Sequence, residues 1–143
     1  MVGPDLSRGV SLETMREILK LSPFNAFLGA EIRALENGFS ELVVPLRKDL
    51  TQYHGFAHGA VVGAVADVAC AWAAASLAGS VVTSEYKLNF LAPAVGDLLL
   101  GRGRVIKYSR RQIICRSDVF AVTGGEEKHV AAALATIMPT VEP

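Results

Sequence analysis

The chain is poor in the features that announce most protein classes. Its 143 residues include two cysteines, one tryptophan and 7% aromatic residues, and charged residues make up only 20%. Two cysteines cannot build a secreted disulfide framework, and Cys70 and Cys115 stand in no CxxC or metal-type spacing. Both have apolar neighbours and are expected to be reduced packing residues of a cytoplasmic protein. The net charge is zero, which removes the electrostatic footprint of a general nucleic-acid binder. No basic segment followed by an apolar run opens the chain, so no signal peptide is read there. The three histidines show no ligand spacing with carboxylates, and no metal site is expected.

What is abundant is apolar surface. Hydrophobic residues make up 51% of a chain long enough for one domain, a surplus that points to a subunit interface. The longest apolar run, residues 59 to 79, is rich in alanine and glycine and holds one charge, Asp67. Ala and Gly supply little transfer energy and a mid-bilayer acid costs about 2.5 to 3.5 kcal/mol, so the run reads as a buried helix rather than a membrane span.

The remaining elements frame that helix. Ser11 is a plausible N-cap for a short amphipathic helix over about 11–21, which Pro23 ends. Asn37-Gly38 joins two strands, about 30–36 and 39–47, in a hairpin. Pro45 suggests that the second of these lies at an edge or carries a bulge. A polar loop, "KDLTQYHGFAHG", leads into the long helix, about 59–78. The stretch "VVTSEYKLNFLA" alternates, with Val82, Tyr86, Leu88 and Phe90 on one face and Thr83, Glu85, Lys87 and Asn89 on the other. Three more strand-like runs follow, about 97–108, 111–123 and 128–138. The class is α+β, a mostly antiparallel sheet of about five to six strands wrapped around the long helix.

His58-Gly59 opens that helix and Asp67 follows eight residues later. An amide residue, Gln52, precedes them, Thr83 supplies a hydroxyl on the next strand, and Pro93 stops that strand. This pattern resembles the hot-dog-fold thioesterases, in particular the acyl-CoA branch similar to the phenylacetate-degradation thioesterases. The resemblance runs from about residue 24 to 138. Gln52 stands where that branch usually has Asn, and Ala60 where it often has a second Gly. The resemblance implies a single hot-dog domain over 1–143, with its core at about 28–138. It also implies an acyl-CoA substrate, no cofactor, no nucleic acid or membrane as partner, and a homodimer that pairs further into a homotetramer.

Each candidate residue has a chemical reading and a bland one. Thioester hydrolysis needs an activated water or nucleophile and a donor for the oxyanion. Gly59, at a helix N-terminus with unpaired N–H groups, fits the donor; the alternative is a plain helix-start glycine. Asp67 is costly to bury unless it is paired or faces a cavity, and burial raises its pKa towards that of a base or nucleophile. Otherwise it is a buried acid bonded to nearby backbone. Gln52 can donate to the carbonyl or hold water, or is a loop glutamine. Thr83 can orient water, or is a β-branched residue on the outer face. His58 shapes the loop or acts as base. Arg110 and Arg111 belong to a run, residues 101 to 116, with six cations and no acid. The run suits coenzyme A phosphates or is a solvated basic edge.

Gly59 and Asp67 are about 12 Å apart along a helix, so one carbonyl cannot reach both within one chain. If both serve one reaction, they belong to two subunits of an antiparallel dimer. Two other functions stay open. An enoyl-CoA hydratase on this fold would use Asp49 and His54. A non-catalytic acyl-CoA binder would need Gly59 and the basic hairpin but not Asp67.

Overall fold

The computed structural model describes residues 9–140. Residues 1–8, part of the stretch in which no leader is read, lie outside them. Helix α1 (Leu12–Leu21) starts where expected, with the Ser11 side chain accepting from the Thr14 N–H. Pro23 does more than end it: it sits in the first turn of a second helix, α2 (Pro23–Leu28), which Gly29 closes at φ 70°. A proline there gives up only an N–H that the first turn cannot use.

Strands β1 (Glu31–Glu36) and β2 (Phe39–Pro45) meet at Asn37 (φ 45°) and Gly38 (φ 81°), the left-handed pair that a tight hairpin requires. A 3-10 turn (Lys48–Leu50) leads to α3 (Gly59–Ala78), followed by β3 (Val81–Phe90), β4 (Leu98–Tyr108), β5 (Ile113–Thr123) and β6 (Glu126–Pro139). All pairings are antiparallel, in the order β1-β2-β4-β5-β6-β3. The six strands wrap α3, as the α+β expectation requires. The expectation for Pro45 needs correction, because β2 is an internal strand. Pro45 pairs only with Leu98 of β4, and the β1 ladder ends at Val43, so the missing N–H falls where no second neighbour exists.

Helix α3 is long and apolar enough to cross a membrane, yet 56% of that window is buried inside the protein. It docks closely on β4, backbone against backbone at Gly103. A Cβ on Gly103 would lie 2.0 Å from the Ala69 carbonyl oxygen, and one on Gly101 would lie 2.7 Å from a Val65 methyl. Two fully buried serines complete the contact. Ser40 Oγ donates to the Ala69 carbonyl at 2.6 Å and Ser117 Oγ to the Ala66 carbonyl at 2.8 Å. Cys70 and Cys115 share the same core, and burial pushes their thiols up to about 11 and about 12. They are inert packing residues.

One irregularity redirects β3. Thr83 pairs with Ile137 and Glu85 with Thr136, so two steps on β3 match one step on β6 and Ser84 is the extra residue of a bulge. The strict alternation read from the sequence therefore fails here. Thr83 joins Tyr86, Leu88 and Phe90 on the face towards α3, and Val82 turns outward, 54% exposed.

The helix–sheet contact makes a sharp prediction. Gly103→Ala must push α3 off β4, because the obstructing atoms are backbone. It should destabilise the protein by about 3 kcal/mol or more. A urea unfolding midpoint equal to that of the wild type would show that the contact yields freely.

Candidate active site

The loop before α3 is built to present the start of that helix. Its ends are held by the His58 N–H donating to the Leu50 carbonyl at 2.8 Å and the Ala57 N–H donating to the Ala94 carbonyl at 2.9 Å. His58 is the N-cap. Its Nδ1 accepts from the Ala60 N–H at 3.0 Å, and its carbonyl accepts from the Val61 and Val62 N–H groups. Three of the first four donors of α3 are thus claimed by one residue. The fourth, the Gly59 N–H, has no protein partner among the described residues. His58 thus caps the helix start through its Nδ1 and its carbonyl.

Gly59 opens onto a cavity of about 420 Å³ whose lining includes Gln52, Phe56, Phe90 and Pro93. The Gln52 side-chain oxygen accepts from the His54 N–H, which closes the turn and leaves the amide nitrogen as the end able to donate into the cavity. The Phe90 ring lies over Gly59, 3.2 Å from where a Cβ would stand.

Asp67 lies two turns further along α3, half-buried. The bulged strand brings it a partner: Thr83 Oγ1 donates to Asp67 Oδ1 at 2.6 Å. Burial pushes the Asp67 carboxyl above its ordinary value, and the Thr83 hydrogen bond pulls it part of the way back. No charged group is bonded to it among the described residues. The carboxylate is basic for an aspartate, it is oriented through one oxygen, and its other oxygen is left to act.

The structure thus joins the predicted residues in two pairs, Gln52 with Gly59 and Thr83 with Asp67, at separate places on one chain. Arg110 and Arg111 belong to neither. They stand at the β4–β5 tip, beyond Ile113, which packs with Cys70 and Ala74 beside the C-terminal half of α3. The cationic run is less free than its sequence suggested. Arg102 is held by Glu41 and Glu127, Arg116 by Asp118, and Arg104 lies over the Phe39 ring. Lys107, Arg110 and Arg111 have no acid partner among the described residues. The residues that sequence reasoning placed on the wrong faces are Val82 and Thr83, both before the bulge. The neighbouring Ser84, a second small hydroxyl residue inside an alternating run, was the only hint of a bulge.

A six-stranded antiparallel sheet wrapped around one long helix is the hot-dog fold. Residues 54–128, just over half of the chain, match the thioesterase superfamily. A candidate esterase of Saccharolobus solfataricus is 33% identical over 117 residues, 80% of this chain and 77% of that one. Among solved structures, a thioesterase family protein from Silicibacter pomeroyi is 38% identical and superposes with a TM-score of 0.85, covering 89% of this chain and 96% of that one. A variant of the phenylacetic acid degradation protein PaaI of Thermus thermophilus is 29% identical with a TM-score of 0.73, covering 83% of this chain and 100% of that one. The chain belongs to the thioesterase superfamily, and thioester hydrolysis is the activity this membership supports.

The Asp67–Thr83 bond sets a pH expectation. Removing the hydroxyl removes the contact that lowers the Asp67 pKa. If the ionised carboxylate does the chemistry, Thr83→Val should move the acid limb of the kcat/KM profile to higher pH. The stability sign is the opposite of that for an ordinary ion-paired aspartate. With the folded pKa raised, the protein is favoured below the unfolded value and loses that advantage as pH rises through the folded one. An acid limb that stays in place in Thr83→Val would separate this bond from catalysis.

Proposed function

We propose that the protein is an acyl-CoA thioesterase, active as a homodimer with two shared sites. The observation that carries the reading is the single unclaimed donor at the start of α3. Three neighbouring N–H groups are spent on His58, while the Gly59 N–H faces a cavity beside the Gln52 amide. These are the two donors a thioester carbonyl oxygen would accept from, and the helix dipole favours the negative charge that develops there.

Asp67 supplies the other half of the reaction from the partner subunit. Antiparallel packing of two α3 helices sets Gly59 of one chain near Asp67 of the other, which removes the separation of about 12 Å within a chain. The carboxylate takes the proton from a water that adds to the carbonyl carbon, or it adds to that carbon itself. Either way the carbonyl becomes a tetrahedral oxyanion. Its collapse breaks the carbon–sulfur bond and releases the coenzyme A thiol and, after water has entered, the free acid. Thr83 fixes the carboxylate during these steps.

Arg110 and Arg111, with Lys107, are the candidates for the coenzyme A phosphates. They lie on the C-terminal side of Asp67 along α3, in the direction that the pantetheine arm can leave the carbonyl. The hydratase reading has less support, because Asp49 pairs with Arg47 at 2.7 Å and His54 lies against the Tyr53 and Phe56 rings.

Thiol release from a panel of acyl-CoA thioesters tests the reaction. Asp67→Asn should lower kcat by about 10² or more, the size of lost acid–base assistance, with little change in KM. Mixing inactive Gly59→Val and Asp67→Asn chains should restore up to about a quarter of the wild-type sites, since half of the dimers are mixed and each holds one intact site. Near-normal turnover by Asp67→Asn would leave a binder in place of an enzyme. A mixture that stays inactive after subunit exchange would place each site within one chain.

The arginines are tested separately. Arg110→Ala with Arg111→Ala should raise KM for acyl-CoA much more than KM for the same thioester cut back to its pantetheine arm. Equal effects on both substrates would return the two residues to a solvated edge.

A further inference from the structure

The face of the sheet turned away from α3 carries a charge pattern of its own. Gly103 meets the Ala69 carbonyl, and Tyr86 and Leu88 lie over Gly63, so the alternate residues Arg104 and Lys87 point outward. Arg116 does the same between the buried Cys115 and Ser117. The ladders set these side chains in one row across β2, β4, β5, β6 and β3: Phe39, Arg104, Arg116, Leu134 and Lys87. Arg104 and Arg116 are direct partners, and like charges facing each other about 5 Å apart at Cα repel. The next row shows the ordinary solution. There Arg102 stands between Glu41 and Asp118, and its guanidinium is spent on Glu41 and Glu127.

The row of Arg104 holds no acid. Arg104 rests on the Phe39 ring at 4.9 Å, and neither it nor Lys87 has an acid partner among the described residues. Arg116 gives Nε and Nη2 to Asp118, at 3.2 and 3.1 Å, and keeps its Nη1 end free of protein partners among the described residues. Asp118 is itself divided, since His129 Nε2 lies 2.8 Å from it. The three cations border two adjoining cavities, of about 250 Å³ and about 310 Å³, which share Ile106 and Arg116. Ile106 is the extra residue of a bulge in β4, because Val105 pairs with Cys115 and Lys107 with Ile114. Its side chain, 60% exposed, is the wall common to both cavities.

We propose that this trough is a binding site for a diphosphate group, free or carried by a nucleoside. One phosphate lies between Arg104 and Arg116, whose planar forks grip phosphate oxygens in pairs and whose mutual repulsion the anion removes. The second extends over Leu134 towards Lys87, two strand spacings or about 10 Å beyond Arg116. A single phosphate satisfies the facing arginines but leaves Lys87 unused, which is why the row selects the longer anion. The site stands on the opposite face of the sheet from Gly59 and Asp67, so it goes beyond the thioesterase reading and does not rest on it.

Isothermal titration of the folded chain with pyrophosphate, ADP and inorganic phosphate, at constant ionic strength, tests the site. Pyrophosphate should bind once per chain, at least tenfold tighter than inorganic phosphate. Arg104→Gln should weaken both anions by about tenfold or more. Lys87→Gln should weaken pyrophosphate and leave inorganic phosphate unchanged. Both residues are exposed, and thermal melts confirm that the variants fold. Arg110→Ala with Arg111→Ala, at the β4–β5 tip, should bind pyrophosphate as the wild type does. Tighter binding of ADP than of pyrophosphate assigns the nucleoside-borne group as the ligand, and equal binding assigns the free anion. Wild-type affinity in folded Arg104→Gln, loss of binding in the tip variant alone, or no saturable binding by the wild type would each overturn the site.

Discussion

The fold depends on one close approach, that of the α3 backbone to β4. At Gly103 the helix carbonyl of Ala69 occupies the space a side chain would need, and the Ser40 and Ser117 hydroxyls bond the Ala69 and Ala66 carbonyls from neighbouring strands. Buried hydroxyls must find acceptors, and the helix offers carbonyls already used once, whose second lone pair is free. The contact is therefore directional as well as close, and it fixes the rotation of α3 about its own axis. Once the faces carrying Ala66 and Ala69 are set against the sheet centre, the face carrying Gly59, Gly63 and Asp67 turns to β3. The position of the chemistry follows from a packing constraint on the other side of the helix.

Within that frame the candidate site works by leaving two groups unsatisfied. A helix start normally has its free N–H groups capped or hydrated. Here His58 caps three and omits Gly59. A buried carboxylate is normally paired with a base. Here Asp67 receives a single neutral hydrogen bond from Thr83. Each omission costs stability in the isolated chain, and in the proposed reaction each would be supplied by the same event, the arrival of a polarised carbonyl with its water.

Much of this was legible in the chain itself. The helix boundaries, the Asn37-Gly38 hairpin and the last three strands follow from caps, turn residues and alternation, all of them local signals. The acid on an apolar helix is also a local signal, because no short-range pattern explains its cost. Two things were not legible. The first is the place of β2 inside the sheet, since strand order is a long-range property and Pro45 bears only on the ladder at one residue. The second is the face of Thr83, because a bulge changes parity while leaving composition untouched. Pro23 shows a milder form of the same limit: it ended one helix as read, but nothing in the periodicity of α1 required it to start another.

The bulge at Ser84 has a further consequence, in tolerance to error. A register fault in an edge strand would ordinarily exchange an inward residue for one of opposite character. At this point the two candidates for the inward place are Thr83 and Ser84, and both carry a hydroxyl. Were the strand to run without its extra residue, Ser84 would take the position opposite Ile137 and present the same kind of donor, one methyl group smaller, towards Asp67. The segment that holds the carboxylate thus carries its own spare part.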